Sequence, residues 1–479
     1  MTETLTPDIC VIGAGSGGLT VAAAVAAFGV PVVLIEKGRM GGDCLNTGCV
    51  PSKSLIAAAR HAHGMPRAKL FGISARGVEV DFARVHAHVH EVIAAIAPND
   101  SRERFEALGV RVIDGAARFR DSETVTVALP AGGEIGIRAR RFVIATGSSP
   151  ALPPIPGLKE TPHLTNETVF DLVAAPEHLV VIGAGPVGLE LAQAFRRLGS
   201  AVTVLEAGEP LAREDQECAA VVLEALAREG VAVRSGTAVA RVFGTDGGIS
   251  VIVRADGGEE TIAGSHLLVA TGRRANIDGL GLERAGIRHD GAAIVLDRGL
   301  KTTNRRVYAI GDAAGGAQFT HLANHHAGLV VRNALFRLPV RADASAVPRV
   351  TFTDPELAHV GLCEADVGRA GLRFRVLRWP FHENDRAQTS RETRGHIKVI
   401  TNARGRILGA TIVGPSAGEL ISTWTLAVER RLPVRTLVGM IVPYPTLAEV
   451  GKRAAVTYFM PGLTSGFVRR IIGWLRRFG

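Results

Sequence analysis

One short glycine pattern occurs twice in the chain, and it limits the fold more than any other feature. Ile12-Gly13-Ala14-Gly15 returns as Ile182-Gly183-Ala184-Gly185, 170 positions later, and the closing glycine recurs as Gly18 and Gly188. Each copy follows a short β-branched run, Asp8 to Ile12 and Leu179 to Ile182, and precedes an Ala/Leu-rich stretch that reads as helix. A second apolar strand then ends in an acid, Glu36 after Val32-Val33-Leu34-Ile35 and Glu206 after Val202-Thr203-Val204-Leu205. This arrangement suits a dinucleotide. The first glycine permits the tight turn, the second lets backbone N–H groups reach a pyrophosphate, and the third lets helix and strand pack closely. The acid accepts ribose hydroxyls. A single Gly-x-Gly-x-x-Gly can be turn chemistry alone. Two of them, each with its acid in step, predict two dinucleotide-binding folds, one holding its nucleotide permanently and one exchanging it. At the second site Glu206 would repel a 2′-phosphate, and no arginine follows in Ala207-Gly208-Glu209-Pro210. NADH is therefore expected over NADPH.

A length of 479 residues allows roughly three domains of ~150 residues. Hydrophobic residues at 47% and charged residues at 21% are a globular balance. The net charge of +9 raises the question of nucleic acid, but aromatics are only 5% and no basic repeat occurs, so no nucleic-acid partner is expected. Part of the surplus is local, since Arg469, Arg470, Arg476 and Arg477 fall in the last eleven residues. Five cysteines are too few for a disulfide-stapled secreted scaffold. No apolar run reaches the ~20 residues that span a bilayer; the best, Val21 to Ile35, is broken by Gly29 and Pro31. No basic-then-apolar leader is visible after Met1, and a soluble cytoplasmic protein is expected.

The most specific segment is Gly41-Gly42-Asp43-Cys44-Leu45-Asn46-Thr47-Gly48-Cys49-Val50-Pro51-Ser52-Lys53. Two cysteines five positions apart bracket a glycine, with Pro51 where a first helical turn would begin. A helix N-terminus together with Lys53 would stabilise a thiolate. A structural metal site would need four ligands, and no second cysteine pair exists. The isolated Cys10, Cys218 and Cys363 are expected to be inert. Ala145-Thr146-Gly147 and Ala270-Thr271-Gly272 each end a strand-like run where the chain would cross between domains, and Pro150 to Pro156 reads as a stiff linker.

The cysteine loop together with the two glycine fingerprints resembles the class I pyridine nucleotide–disulfide oxidoreductases, which include dihydrolipoamide dehydrogenase, glutathione reductase and mercuric reductase. The resemblance runs from about Asp8 to Phe459. It takes in Val307-Tyr308-Ala309-Ile310-Gly311-Asp312, similar to the family's second FAD segment, and Phe352-Thr353-Asp354-Pro355-Glu356, similar to the opening of its dimer-interface domain. The fold it implies is α/β: two Rossmann-like domains, the NAD domain inserted in the FAD domain, plus an α+β dimerisation domain. The expected spans are 1–149 and 273–345 for FAD, 150–272 for NAD, 346–465 for the interface and 466–479 for a basic amphipathic tail. The resemblance implies a homodimer with FAD at the first fingerprint and NADH at the second. It implies electrons passing from NADH through FAD to a Cys44–Cys49 disulfide and on to an acceptor. Cys49 would be the thiol beside the flavin and Cys44 the interchange thiol. Lys53 and Glu190 would form a pair near the flavin. Gly13, Gly15, Gly18, Glu36, Lys37, Gly42, Lys53, Thr146, Gly147, Gly183, Gly185, Gly188, Glu206, Gly272, Gly311 and Asp312 would bind the two cofactors.

Two departures bear on the acceptor. Disulfide reductases of the family carry His-Pro-Thr-x-x-Glu near the C-terminus, whereas Tyr444-Pro445-Thr446-Leu447-Ala448-Glu449 stands here. A tyrosine titrating near pH 10 cannot replace histidine as a base at neutral pH. Mercuric reductase also has tyrosine there, but its C-terminal vicinal cysteine pair has no counterpart in Trp474 to Gly479. The acceptor is left open among a disulfide, a metal ion and a quinone-like sink. A further alternative is a flavin-loaded, membrane-associated interaction or sensor protein, because the tail would set Phe467, Ile471, Trp474, Leu475 and Phe478 on one helical face with its arginines largely opposite. That tail can equally dock on the dimer. His86, His88 and His90 are expected on a solvated helix rather than at a metal, and His321, His325 and His326 on a helix after the second FAD segment.

Overall fold

The computed structural model describes residues 4–74, 77–255, 258–463 and 465–478. The chain divides into two compact units: Met1–Pro176 with His266–Asp343, and Glu177–Ser265 with Ala344–Gly479. Residues 177–265 are thus inserted between the two segments of the first unit, the nesting expected of this fold class.

The first unit is built on a five-stranded parallel sheet with Ile9–Ile12 at its centre. Val32–Glu36 and then Arg111–Asp114 lie on one side, Arg141–Ile144 and then Val307–Ala309 on the other. A strand buried on both faces must be apolar throughout, and no residue of Ile9–Ile12 is more than 4% exposed. Alternation sorts its side chains between two cores. Ile9 and Val11 join Leu19, Ala22 and Val25 of the helix Ser16–Ala27 and Ala327 and Val330 of the helix Thr320–Phe336. Cys10 and Ile12 join Phe119, Val125 and Ile137 from a smaller sheet. Each fully buried aliphatic side chain contributes ~1.5–3 kcal/mol.

In the second unit the parallel strands run in the order Val231–Arg234, Ala201–Leu205, His178–Ile182, with the helix Pro186–Arg197 following His178–Ile182 and the helix Gln216–Arg228 following Ala201–Leu205. Residues 344–463 form a five-stranded antiparallel sheet in the order 349–351, 356–361, 407–414, 396–402, 374–380. The helices Ala417–Glu429 and Glu449–Thr457 cover it, packing Ile421, Trp424 and Ala454 against Ile397 and Ile412. The almost fully buried Lys398 ties the two parts of this unit together, reaching Asp215 at 2.8 Å, Glu217 at 2.9 Å and Glu364 at 2.7 Å.

Candidate active site

The two glycine fingerprints have the same geometry. Gly13 and Gly183 both take positive φ, 107° and 108°, which L-residues with a Cβ rarely adopt. A Cβ on Gly13 would fall on the Ala145 carbonyl, and one on Gly18 would fall on the Gly13 carbonyl. Gly15 and Gly185 are the N-caps of the helices Ser16–Ala27 and Pro186–Arg197, and neither has a side chain to satisfy the first-turn N–H groups. Such helix starts suit anions. The two acids do more than the sequence implied. Glu36 accepts hydrogen bonds from the Ala14 N–H at 2.6 Å and the Gly38 N–H at 2.8 Å. Glu206 likewise accepts from Ala184 and Gly208, both at 2.9 Å. Each carboxylate therefore organises the loop that would carry the nucleotide and keeps lone pairs for a ribose. Lys37, directly after Glu36, is exposed.

Cys44 lies on the short helix Gly42–Asn46, and Cys49 opens the helix Cys49–Arg67. That helix begins two residues before the Pro51 start expected from the sequence, so Cys49 itself occupies the positive end of the helix dipole. As thiols, the two side chains perturb each other's ionisation. Cys49 is lowered to about 6, first by the Cys44 thiol, then by the Thr320 hydroxyl at 3.7 Å and the charge of Lys53; loss of surrounding water and the Asp43 charge oppose this. Cys44 is raised, chiefly by Cys49 and then by burial. A thiolate on Cys49 steadied by a protonated Cys44 is the reduced state of a dithiol couple.

Next to Cys44 runs a polar chain that the sequence reading missed. The Asp43 carboxylate accepts from the Thr47 hydroxyl at 2.9 Å and the Asn166 amide at 3.1 Å, and Arg273 stands 3.3 Å away. Arg273 also donates to the hydroxyl and the carbonyl of Ser148, both at 2.7 Å. The Ser148 hydroxyl donates to Asp312 at 2.6 Å. Burial raises the Asp312 carboxyl above its ordinary range against that bond and the Arg273 charge. The chain thus joins the cysteine loop to the segment Gly311–Ala314. Its members sit beside the sequence motifs: Asp43 within the cysteine loop, Ser148 after Thr146-Gly147, Arg273 after Gly272. Asn166 and Thr320 carry no local signal. The two Ala-Thr-Gly segments also meet, since Ser148–Pro150 pairs antiparallel with Arg273–Ala275 and Thr146 exchanges bonds with Asn276.

Lys53 belongs to the first unit, in the helix Cys49–Arg67, and its Nζ lies 3.4 Å from the Ser52 hydroxyl. Glu190 belongs to the second, buried in the helix Pro186–Arg197 and accepting the Phe352 N–H at 2.9 Å. Tyr444 is 71% exposed and donates to Asp385 at 2.8 Å, a bond that raises its phenol above the ordinary 10. Glu449 begins the helix Glu449–Thr457. His86 and His90 share a helix face, with ring centroids 4.2 Å apart, and no group of three metal-binding side chains occurs among the described residues. His326 receives the Gly311 N–H at 3.3 Å, and burial lowers it to about 4, which leaves it neutral. Cys10, Cys218 and Cys363 are buried, with acidity suppressed by that burial.

A dinucleotide with a diphosphate fits these residues. A Cβ on Gly42 would lie 2.7 Å from the Gly15 Cα, so the two backbones pack directly together, whereas nothing lies within 4 Å of where a Cβ on Gly15 would stand, which leaves the helix start open to a phosphate.

Comparison with known proteins agrees. Residues 7–327 match the pyridine nucleotide–disulphide oxidoreductase family and residues 347–455 its dimerisation domain. A mercuric reductase of Streptomyces lividans is 37% identical over 454 residues, 94% of this chain and 96% of that protein. A dihydrolipoyl dehydrogenase of Geobacillus stearothermophilus is 34% identical, covering 95% of each. Among solved structures, LpdA of Mycobacterium tuberculosis matches with a TM-score of 0.87 at 29% identity, over 95% of this chain and 99% of that one. The Cu(II) complex of the HOCl-induced flavoprotein disulfide reductase RclA of Escherichia coli matches at 0.84 and 29%, over 95% and 100%. The chain belongs to the pyridine nucleotide–disulphide oxidoreductases, FAD-dependent oxidoreductases with NAD(P)H as electron donor.

Proposed function

We propose that the chain is an NADH-dependent flavoprotein whose redox-active centre is Cys44–Cys49, working as a homodimer through residues 347–455. FAD, when bound at the first fingerprint, supplies a carrier that takes a hydride from NADH and delivers an electron pair to sulfur. The net step is NADH, a proton and the Cys44–Cys49 disulfide giving NAD⁺ and two thiols. The observation that carries this reading is the placement of Cys44, on the helix Gly42–Asn46, just before Cys49, which opens the helix Cys49–Arg67 with its sulfur 3.7 Å from the Thr320 hydroxyl. Lys53 and the Thr320 hydroxyl hold the charge on Cys49. Cys44 keeps the proton it must release when it meets an acceptor. Glu206, fixed by two backbone N–H groups, disfavours the 2′-phosphate of NADPH.

Dihydrolipoamide-like disulfide chemistry is the first reading for the acceptor. Reduction of a soft metal ion is the second, favoured by Tyr444 in place of a histidine base and by the similarity to mercuric reductase. The test is NADH oxidation by the FAD-loaded protein with lipoamide, oxidised glutathione, Hg²⁺ or a benzoquinone as the acceptor. Cys44→Ser should abolish turnover with the productive acceptor. Undiminished turnover by that variant would remove the cysteines from the path.

A further inference from the structure

The helix Gly466–Leu475 is alone, among the described helices of eight residues or more, in burying none of its residues. It has its own start signal, since the Ser465 hydroxyl accepts the Val468 N–H at 3.2 Å. Its side chains sort by face. At 3.6 residues per turn, continued to Phe478, the residues Phe467, Ile471, Ile472, Trp474, Leu475 and Phe478 fall within an arc of roughly 160°. Arg469, Arg470, Arg476 and Arg477 occupy the opposite side, with Gly466 and Gly473 between them. Phe467 is 66% exposed, Trp474 57% and Phe478 72%. The rings of Trp474 and Phe478 meet edge-on at 4.9 Å. No acid occurs after Glu449, whereas Lys452, Arg453 and the four arginines all do.

Charge decides what covers the apolar arc. A second copy of this chain carries a formal +9 of its own and would cover the arc while offering the four arginines no surplus of counter-charge. The match to the dimerisation domain also ends at residue 455, before this helix starts. An anionic lipid interface answers both faces at once. Phe and Trp rings settle at the headgroup boundary while arginines reach sideways to phosphates. No helix among the described residues is long and apolar enough to cross a membrane, so the contact is one of lying on the surface. We propose that the helix Gly466–Leu475 is a peripheral anchor that lays the protein on an anionic lipid surface. The proposal stands independently of the redox reading.

The test is co-sedimentation of the flavin-loaded full chain with phosphatidylcholine vesicles, with and without phosphatidylglycerol. The protein should pellet with the anionic vesicles and not with the neutral ones, and added salt should release it. Replacing Arg476 and Arg477 by glutamine should weaken binding about fivefold for each arginine removed. Trp474→Glu should leave the protein in the supernatant with its NADH oxidation unchanged. The proposal fails if the parent protein stays in the supernatant throughout or pellets equally with both vesicles. It also fails if Trp474→Glu pellets as the parent does, or if that variant sediments as a monomer where the parent is a dimer, since a second copy would then cover the arc.

Discussion

Arg273 stands 3.3 Å from the carboxylate of Asp43, the residue that precedes Cys44. The Asp43 charge works against ionisation of both cysteines, and Arg273 offsets that charge. Asp43→Asn should therefore move the ionisation of Cys49 to lower pH, and Arg273→Gln should move it to higher pH. The rate of Cys49 alkylation as a function of pH reads both shifts. Identical midpoints in the three proteins would contradict the link.

A buried cation joins the two parts of the second unit. Lys398 has 4% of its side chain exposed and is shared by Asp215, Glu217 and Glu364. Removing it takes the cation from the buried Asp215, while Arg378 still pairs with Glu217 and Glu364, so Lys398→Met should cost about 3–5 kcal/mol in denaturant unfolding. The acid limb follows from Glu217, which Arg378 and Lys398 hold at about 2 against an ordinary 4.5. A depressed carboxyl stabilises the fold fully above its unfolded value and loses that contribution as pH falls through its folded one. Stability should decline between about pH 4.5 and 2. In Lys398→Met the same decline should be shallower.

At the second fingerprint Glu206 serves two purposes, holding the loop through Ala184 and Gly208 and presenting a negative charge. Glu206→Gln keeps an acceptor oxygen and removes the charge. The ratio of kcat/KM for NADPH to that for NADH should rise by about tenfold or more. An unchanged ratio would show that the carboxylate does not face the 2′ position.

Tyr444 is pinned to Asp385 and cannot ionise near neutral pH. With lipoamide as acceptor, Tyr444→His should raise kcat by up to ~10²-fold, with a pH profile that titrates near the ordinary histidine value. No change in rate would indicate that the acceptor needs no base at this position.

What the sequence disclosed was what lies close along the chain. Both fingerprints, the strand–turn–helix around each and the cysteine loop are written within about 25 consecutive residues, and a strand buried on both faces shows itself as an unbroken apolar run, as in Ile9–Ile12. The network around Cys44 is different in kind. Asp43 meets Arg273 and Ser148 meets Asp312 across 230 and 164 positions, and in the second unit Lys398 meets Asp215 across 183. No periodicity records such pairings. The start of the helix at Cys49 rather than near Pro51 escaped for another reason. Proline fits anywhere in a first turn, where its missing N–H costs nothing, so its position fixes a helix start only to within a residue or two.

Electrons from NADH are expected to end on the sulfurs of Cys44 and Cys49. The most direct measurement is an anaerobic titration of the oxidised, FAD-loaded protein with NADH, followed by denaturation, alkylation and mass mapping of all five cysteines. One equivalent of NADH should convert a Cys44–Cys49 disulfide into two alkylated residues, with Cys10, Cys218 and Cys363 labelled alike before and after. NADH consumed while Cys44 and Cys49 stay joined, or an oxidised protein in which they are never joined, would contradict the account.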